Sequence, residues 1–299
     1  MTTSPVSVSC IGLGRIGSGM AHCIQARGFR LTVYNRTTEK TQPFLAGGAT
    51  VARTPREAAA GADVVVTCLM DDASVLDNTL GKDGILASLR PGTIHIGAST
   101  ISPSASVQLS GLHDAHGSHY IAGPIAGRPE QAAAGKLLTF VAGKPDIIDR
   151  CRPILDAYAA RVMVLGADPA AAASMKLAVN FFAACLLELI GETFVFAEKR
   201  GLDVAAVSEL YKDLLRHPAM PVYLDKIRTR NFDQDLGFTL DGAMKDIRLI
   251  LDAAAEVQTP LPYASLVRDK CITALSRGMG QRDWSCFTTV SRLHAGLGE

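Results

Sequence analysis

The sequence predicts an α/β domain built on a doubly wound parallel sheet, a long connecting helix, and a second domain made only of helices. Three observations carry this. Short apolar runs at residues 6–11, 31–34, 63–69 and 93–96 alternate with helical stretches, which implies parallel strands joined by right-handed crossovers. Residues 168–200 contain one proline, Pro169, at the very start, and one glycine, Gly191. Beyond residue 200 the apolar spacing is helical throughout. The expected division is therefore 1–167, 168–200 and 201–299.

Composition agrees. With 299 residues, 48% hydrophobic and 20% charged, the chain can bury two cores. A net charge of +1 without a basic block argues against nucleic acid or an anionic membrane surface as partner. Cysteines 10, 23, 68, 151, 185, 271 and 286 are odd in number and lack metal-type spacing, so reduced thiols in a cytoplasm are expected, with no metal. No charged region precedes a long apolar stretch at the N-terminus, so no signal peptide is expected.

The first strand runs directly into Gly12-Leu13-Gly14-Arg15-Ile16-Gly17, a G-x-G-x-x-G loop. A helix follows to Arg27 and stops at Gly28, and the second strand comes next. In this context the motif signals a Rossmann-type dinucleotide site, with Gly12 for the tight turn, Gly14 for pyrophosphate approach and Gly17 for close packing. Free N–H groups at the helix start hold the phosphates.

The end of the second strand sets cofactor choice. An acid there would hold the ribose 2′-hydroxyl of NAD. This chain has Asn35-Arg36-Thr37 instead. Arg36 can pair with a 2′-phosphate and lie along adenine, so NADPH is expected over NADH; the bland alternative is a solvated surface arginine. Met70-Asp71 and the Ser99-Thr100 loop follow later strand ends and are expected to face the cofactor. Helices are expected over 71–80 and near 85–89. A strand at 120–122, a loop at 123–129, a strand at 137–142, a helix at 145–158 and a strand at 162–165 complete the domain.

In the connecting helix, Asp168 reads as the N-cap and Pro169 as the first helical residue. Met175, Val179, Phe182, Leu186, Leu189, Ile190 and Phe194 fill both sides of the cylinder, which predicts a buried helix about 45 Å long. Asn180 and Glu188 interrupt the apolar run, so a core helix is expected rather than a membrane span. Lys176 and Asn180 share one face among alanines and leucines, where a lysine is a poor core residue or a working one.

The rest is helical: 202–216, a break at His217-Pro218 and Pro221, 222–229, a loop at 231–238, then 240–257, 261–277 and about 286–293. Asp241 and Lys245 stand four apart as a candidate surface pair. Trp284, the only tryptophan, reads as a packing anchor. Few polar residues fall at core positions, so association through these helices into a homodimer or homotetramer is expected.

Together these segments resemble the β-hydroxyacid dehydrogenases, the group of 3-hydroxyisobutyrate dehydrogenase, tartronate semialdehyde reductase and the glyoxylate/succinic semialdehyde reductases. The resemblance rests on the G-L-G-R-I-G run with N-R-T, on Ser99-Thr100-Ile101-Ser102-Pro103, on Gly123-Pro124-Ile125-Ala126-Gly127, on Lys176 with Asn180, and on Gly242-Ala243-Met244-Lys245-Asp246. It implies an NAD(P)-dependent reductase acting on a small carbonyl or β-hydroxy acid, with Lys176 as proton donor to the carbonyl oxygen. It further implies that Asn180 orients substrate or lysine, that Thr100 touches the cofactor and that Lys245 closes over it. Ser99, Ala126, Gly127 and Arg128 would line the substrate.

Two departures stand out. The substrate loop has Ala126 where the family usually offers serine, and Arg128 where it offers a second glycine. Arg128 either binds a carboxylate bidentately or points into solvent. Imine reduction is the first rival reading, although imine reductases typically carry aspartate or tyrosine at the Lys176 position. A non-catalytic NADP-binding interaction protein is the second. Nucleophilic and metal mechanisms lack residues, since neither G-x-S-x-G nor H-E-x-x-H occurs.

Overall fold

The structure is a computed structural model that describes residues 6–217 and 219–298, with the side chain of residue 249 set aside. Pro218, expected to help break a helix, lies outside the described residues, as does the N-terminal segment expected to lack a signal peptide. The described residues contain nine strands: β1 (Ser7–Ile11), β2 (Arg30–Tyr34), β3 (Thr50–Val51), β4 (Val64–Thr67), β5 (Ile94–Gly97), β6 (His119–Ala122), β7 (Ile125–Ala126), β8 (Leu137–Val141) and β9 (Ala159–Val164). Among them run α1 (Arg15–Ala26), α2 (Gln42–Leu45), α3 (Pro55–Ala59), α4 (Asp72–Leu80), α5 (Pro103–His116), α6 (Pro129–Ala133) and α7 (Pro145–Tyr158). The long α8 (Pro169–Lys199) follows, then α9 (Val204–Leu214), α10 (Ala219–Thr229), α11 (Leu240–Glu256), α12 (Pro262–Ser276) and α13 (Thr289–His294).

The main sheet has the order β3-β2-β1-β4-β5-β6, and every pairing in it is parallel. The order reverses between β1 and β4, and that reversal opens the crevice where such sheets bind ligands. Val8, Val33, Val64, Ile94 and Ile121 pack against Ala21 and Ile24 of α1 and Ile147 and Ile154 of α7. A second sheet, β7-β8-β9, departs from the single-sheet expectation: β8 pairs antiparallel with β7 and parallel with β9. The stretch near residues 85–89 forms only a short 3-10 turn, Ile85–Ala87.

Two compact units share the chain, residues 1–182 and 183–299. The division falls inside α8 because Ala172, Met175 and Val179 join the apolar cluster of Ile101, Leu109, Tyr120 and Phe140. The expected burial of α8 is corrected: Phe181 is 73%, Phe182 66% and Leu187 70% exposed. By length and composition α8 could cross a membrane, but Lys176, Asn180, Glu188 and Glu192 punctuate it.

The second unit packs Phe232, Leu240, Met244, Cys271, Met279 and Val290 into its own core. Trp284 is an anchor, edge-on to Tyr223, Phe238 and Phe287. The expected Asp241–Lys245 pair does not form. Lys245 Nζ sits 3.0 Å from Asp246, while Asp241 accepts from Gln281 at 2.7 Å. The last segment begins as a 3-10 turn, Trp284–Thr288, before α13. The polar core was also underestimated. Lys226, 9% exposed at its side chain, donates to the Gln234 carbonyl at 2.5 Å and faces the fully buried Asp283 at 3.7 Å.

Candidate active site

The crevice at the sheet reversal is built from backbone up. Gly12 has φ +95°, and an added Cβ would lie 2.3 Å from the Cys68 carbonyl oxygen. A Cβ on Gly17 would lie 2.0 Å from the Gly12 oxygen. Both positions therefore require glycine. Gly14 differs: nothing lies within 4 Å of its would-be Cβ, so its open side faces free space. Gly14 is also the N-cap of α1 and supplies no side-chain cap, which leaves the first N–H groups of α1 for an anion. Arg15 is exposed beside them, and Ile16 packs inward. This cradle fits a dinucleotide pyrophosphate.

A cavity of ≈ 790 Å³ extends from Gly12 past Asn35, Arg36, Thr37, Lys40, Leu69 and Met70. Arg36 is exposed and makes no ion pair or side-chain hydrogen bond among the described residues. Met70 stands 86% exposed at the cavity wall. Asn35 and Leu13 are joined to each other by a hydrogen bond. Asn35 Oδ1 accepts from the Leu13 N–H at 2.9 Å, and its Nδ2 donates to the Thr37 carbonyl at 2.9 Å. Asn35 thus ties the glycine loop to the turn that carries Arg36. Asp71 caps α4 through Ser74, and these hydrogen bonds hold its carboxyl below the usual range.

The loops after β4 and β5 are cross-linked. Ser99 is buried, and its Oγ accepts from the Leu69 N–H at 2.8 Å. Asp72 takes both the Ser102 N–H (2.9 Å) and the Ser102 hydroxyl (2.5 Å). Sequence reasoning missed Asp72; its signal was the pairing of an acid after one strand with a Ser-Pro helix start after the next. Thr100, half-buried, sits between the two cross-links.

The loop at residues 123–128 is pinned by Thr139, whose hydroxyl donates to the Gly123 carbonyl at 3.1 Å. Gly127 has φ +149°, and a Cβ there would meet Leu137 at 2.6 Å. Ala126, Leu69, Leu138, Met175 and Val179 all pack against the cluster of Ile101, Leu109, Tyr120 and Phe140, so the start of α8 and this loop share one apolar cluster. Arg128 is exposed, with Nε 3.4 Å from the equally exposed Glu130.

Lys176 lies between Met175 and Val179 on α8, half-buried and without an ion pair among the described residues. Burial lowers its pKa, since an ammonium loses hydration there. Asn180, one turn on, is exposed. Lys245 belongs to the second unit, where it lines a cavity of ≈ 360 Å³ with Asp241, Met244, Arg248 and Leu275.

Comparison with known proteins agrees with this architecture. Residues 7–166 match the NAD-binding domain of 6-phosphogluconate dehydrogenase, and residues 170–290 match the NAD-binding domain of NADP-dependent 3-hydroxyisobutyrate dehydrogenase. An uncharacterised oxidoreductase of Bacillus subtilis (strain 168), YfjR, is 35% identical over 94% of this chain and 98% of its own. Glyoxylate/succinic semialdehyde reductase 1 of Arabidopsis thaliana is 28% identical over 94% and 96%. The imine reductase of Myxococcus stipitatus, solved with NADP+, superposes with a TM-score of 0.83 over 95% of this chain and 99% of that one, at 22% identity, and shows the shared fold. The chain belongs to the 3-hydroxyisobutyrate dehydrogenase family of NAD(P)-binding oxidoreductases.

Proposed function

We propose that the protein is an NADPH-dependent reductase of small oxo acids or semialdehydes, with Lys176 as the proton donor. The observation that carries the reading is Lys176 itself: a half-buried ammonium, unpaired among the described residues, on the helix whose Met175 and Val179 pack against the same apolar cluster as Ala126 of the 123–128 loop. When bound, the nicotinamide cofactor supplies the hydride. Gly14 and the free N–H groups of α1 would hold its pyrophosphate, and Arg36 with Thr37 its 2′-phosphate. Lys176 would lend positive charge to the developing alkoxide and pass it a proton. Asn180 would orient the substrate or the lysine.

A second reading, imine reduction, is favoured by one feature. Ala126 brings no hydroxyl to the loop, and Arg128 is turned to Glu130, so the usual carboxylate contacts are thinned. We further place the protein as a homo-oligomer, in which the bare apolar face of α8 meets a second copy. Its free thiols support a reducing cytoplasm.

The test follows NADPH and NADH absorbance over glyoxylate, succinic semialdehyde, tartronate semialdehyde and a cyclic imine. Oxo-acid turnover lost in Lys176→Ala is the expected result. Imine turnover alone selects the second reading. Arg36→Ala should weaken NADPH binding by about 1.5–3 kcal/mol and leave NADH within about twofold, as loss of a charge-assisted contact does.

A further inference from the structure

The first turn of α8 is held to α5 by one buried hydroxyl. Ser106 is fully buried, and its Oγ donates to the Pro169 carbonyl at 3.2 Å, across a sequence separation of 63 residues. Among the described residues this is the single hydrogen bond that another element's side chain gives to the first three turns of α8; Asp168 caps the Ala170 N–H locally at 2.9 Å. Ser106 in turn donates its own N–H to Ser102, the residue clamped twice by Asp72. A polar path thus runs from α4 through the start of α5 to the start of α8.

Pro169 and Lys176 stand two turns apart on nearly the same helix face, about 10 Å along the axis. The apolar contacts of Ala172, Met175 and Val179 press α8 against its neighbours but do not by themselves set its height, because side chains of similar shape can slide along a groove. A hydrogen bond to a named carbonyl does set it.

We propose that Ser106 is a positioning residue for Lys176, its hydroxyl pegging the first turn of α8 at the height that presents the lysine to the reacting oxygen. The inference rests on the reading of Lys176 as proton donor. Proton transfer tolerates little displacement, and a shift of about 1 Å can cost up to about a hundredfold in rate.

The test compares Ser106→Ala and Ser106→Thr with Ser118→Ala, which deletes another buried hydroxyl, 2.8 Å from His113 Nδ1, that does not touch α8. Hydrogen–deuterium exchange of amides 173–177 is read in the free protein. Single-turnover NADPH oxidation is read with glyoxylate, succinic semialdehyde and a cyclic imine as probes. Ser106→Ala should speed exchange at these amides and slow turnover about tenfold, with KM within about twofold. Ser106→Thr, which keeps the hydroxyl, should restore both, and Ser118→Ala should change neither.

Equal effects of Ser106→Ala and Ser118→Ala, no effect of Ser106→Ala, or no restoration by threonine overturns the proposal. Lys176→Ala separates the two ideas. If it turns over at the parental rate, or if no probe is reduced, the donor reading falls and the positioning role falls with it. If Lys176→Ala is inactive while Ser106→Ala matches the parent in rate and exchange, only the positioning role falls.

Discussion

Asn35 Oδ1 accepts the Leu13 N–H at 2.9 Å, so the residue that follows β2 holds the turn of the glycine loop. Its other amide group donates to the Thr37 carbonyl and shapes the turn carrying Arg36. Asn35→Ala should therefore weaken NADPH and NADH alike, by about 1 kcal/mol each. Asn35→Asp keeps an acceptor for Leu13 but adds a charge beside the place of a 2′-phosphate, and should shift preference toward NADH. Dissociation constants for both cofactors check the pair.

In the proposed reaction Lys176 can donate only while protonated. Burial lowers its pKa below the ordinary lysine range. The rate of reduction should hold at low pH and fall as pH rises through that lowered pKa. Lys176→Arg should lower the rate at every pH and lose that fall, because guanidinium keeps its proton there. A pH profile of kcat for both proteins gives the answer.

Arg128 is turned to Glu130 on the surface. Arg128→Ala should leave KM for an oxo acid within about twofold and stability within about 0.5 kcal/mol. A tenfold rise in KM would show that the side chain swings onto the substrate carboxylate.

His95 of β5 and His113 of α5 lie in a buried chain: Thr67 Oγ1 to His95 Nε2 at 2.9 Å, His95 Nδ1 to His113 Nε2 at 2.9 Å, and His113 Nδ1 to Ser118 Oγ at 2.8 Å. Burial lowers both, His113 to about 4 and His95 well below its usual range. The unfolded chain takes up protons near pH 6.5, while the folded chain does not until much lower pH. This contribution is therefore intact above about pH 6.5 and is lost as pH falls toward 4. Thermal melts should show that loss, and His113→Gln should reduce its slope.

Lys226 and Asp283 form the buried polar centre of the second unit. Lys226→Met leaves the Asp283 carboxylate without its cation and should cost about 3–5 kcal/mol. Adding Asp283→Asn should recover part of that loss, which denaturant melts of the single and double variants measure.

The sequence by itself determined the local features. Gly12 and Gly17 are legible because no Cβ fits there, the Asp168-Pro169 start of α8 because caps are local, and the helical spacing beyond residue 200 because periodicity is local. It also placed the candidate residues in order along the chain, and the strand–loop–helix context made the dinucleotide reading specific. Tertiary structure alone decided which groups meet. Ser99 and Leu69, Asp72 and Ser102, Ser106 and Pro169 are joined by contacts 30, 30 and 63 residues apart, and no periodicity encodes such pairings. It also decided the exposure of α8. An apolar helix reads alike whether its cover comes from its own chain or from outside it, because hydropathy records the need for cover and not its source.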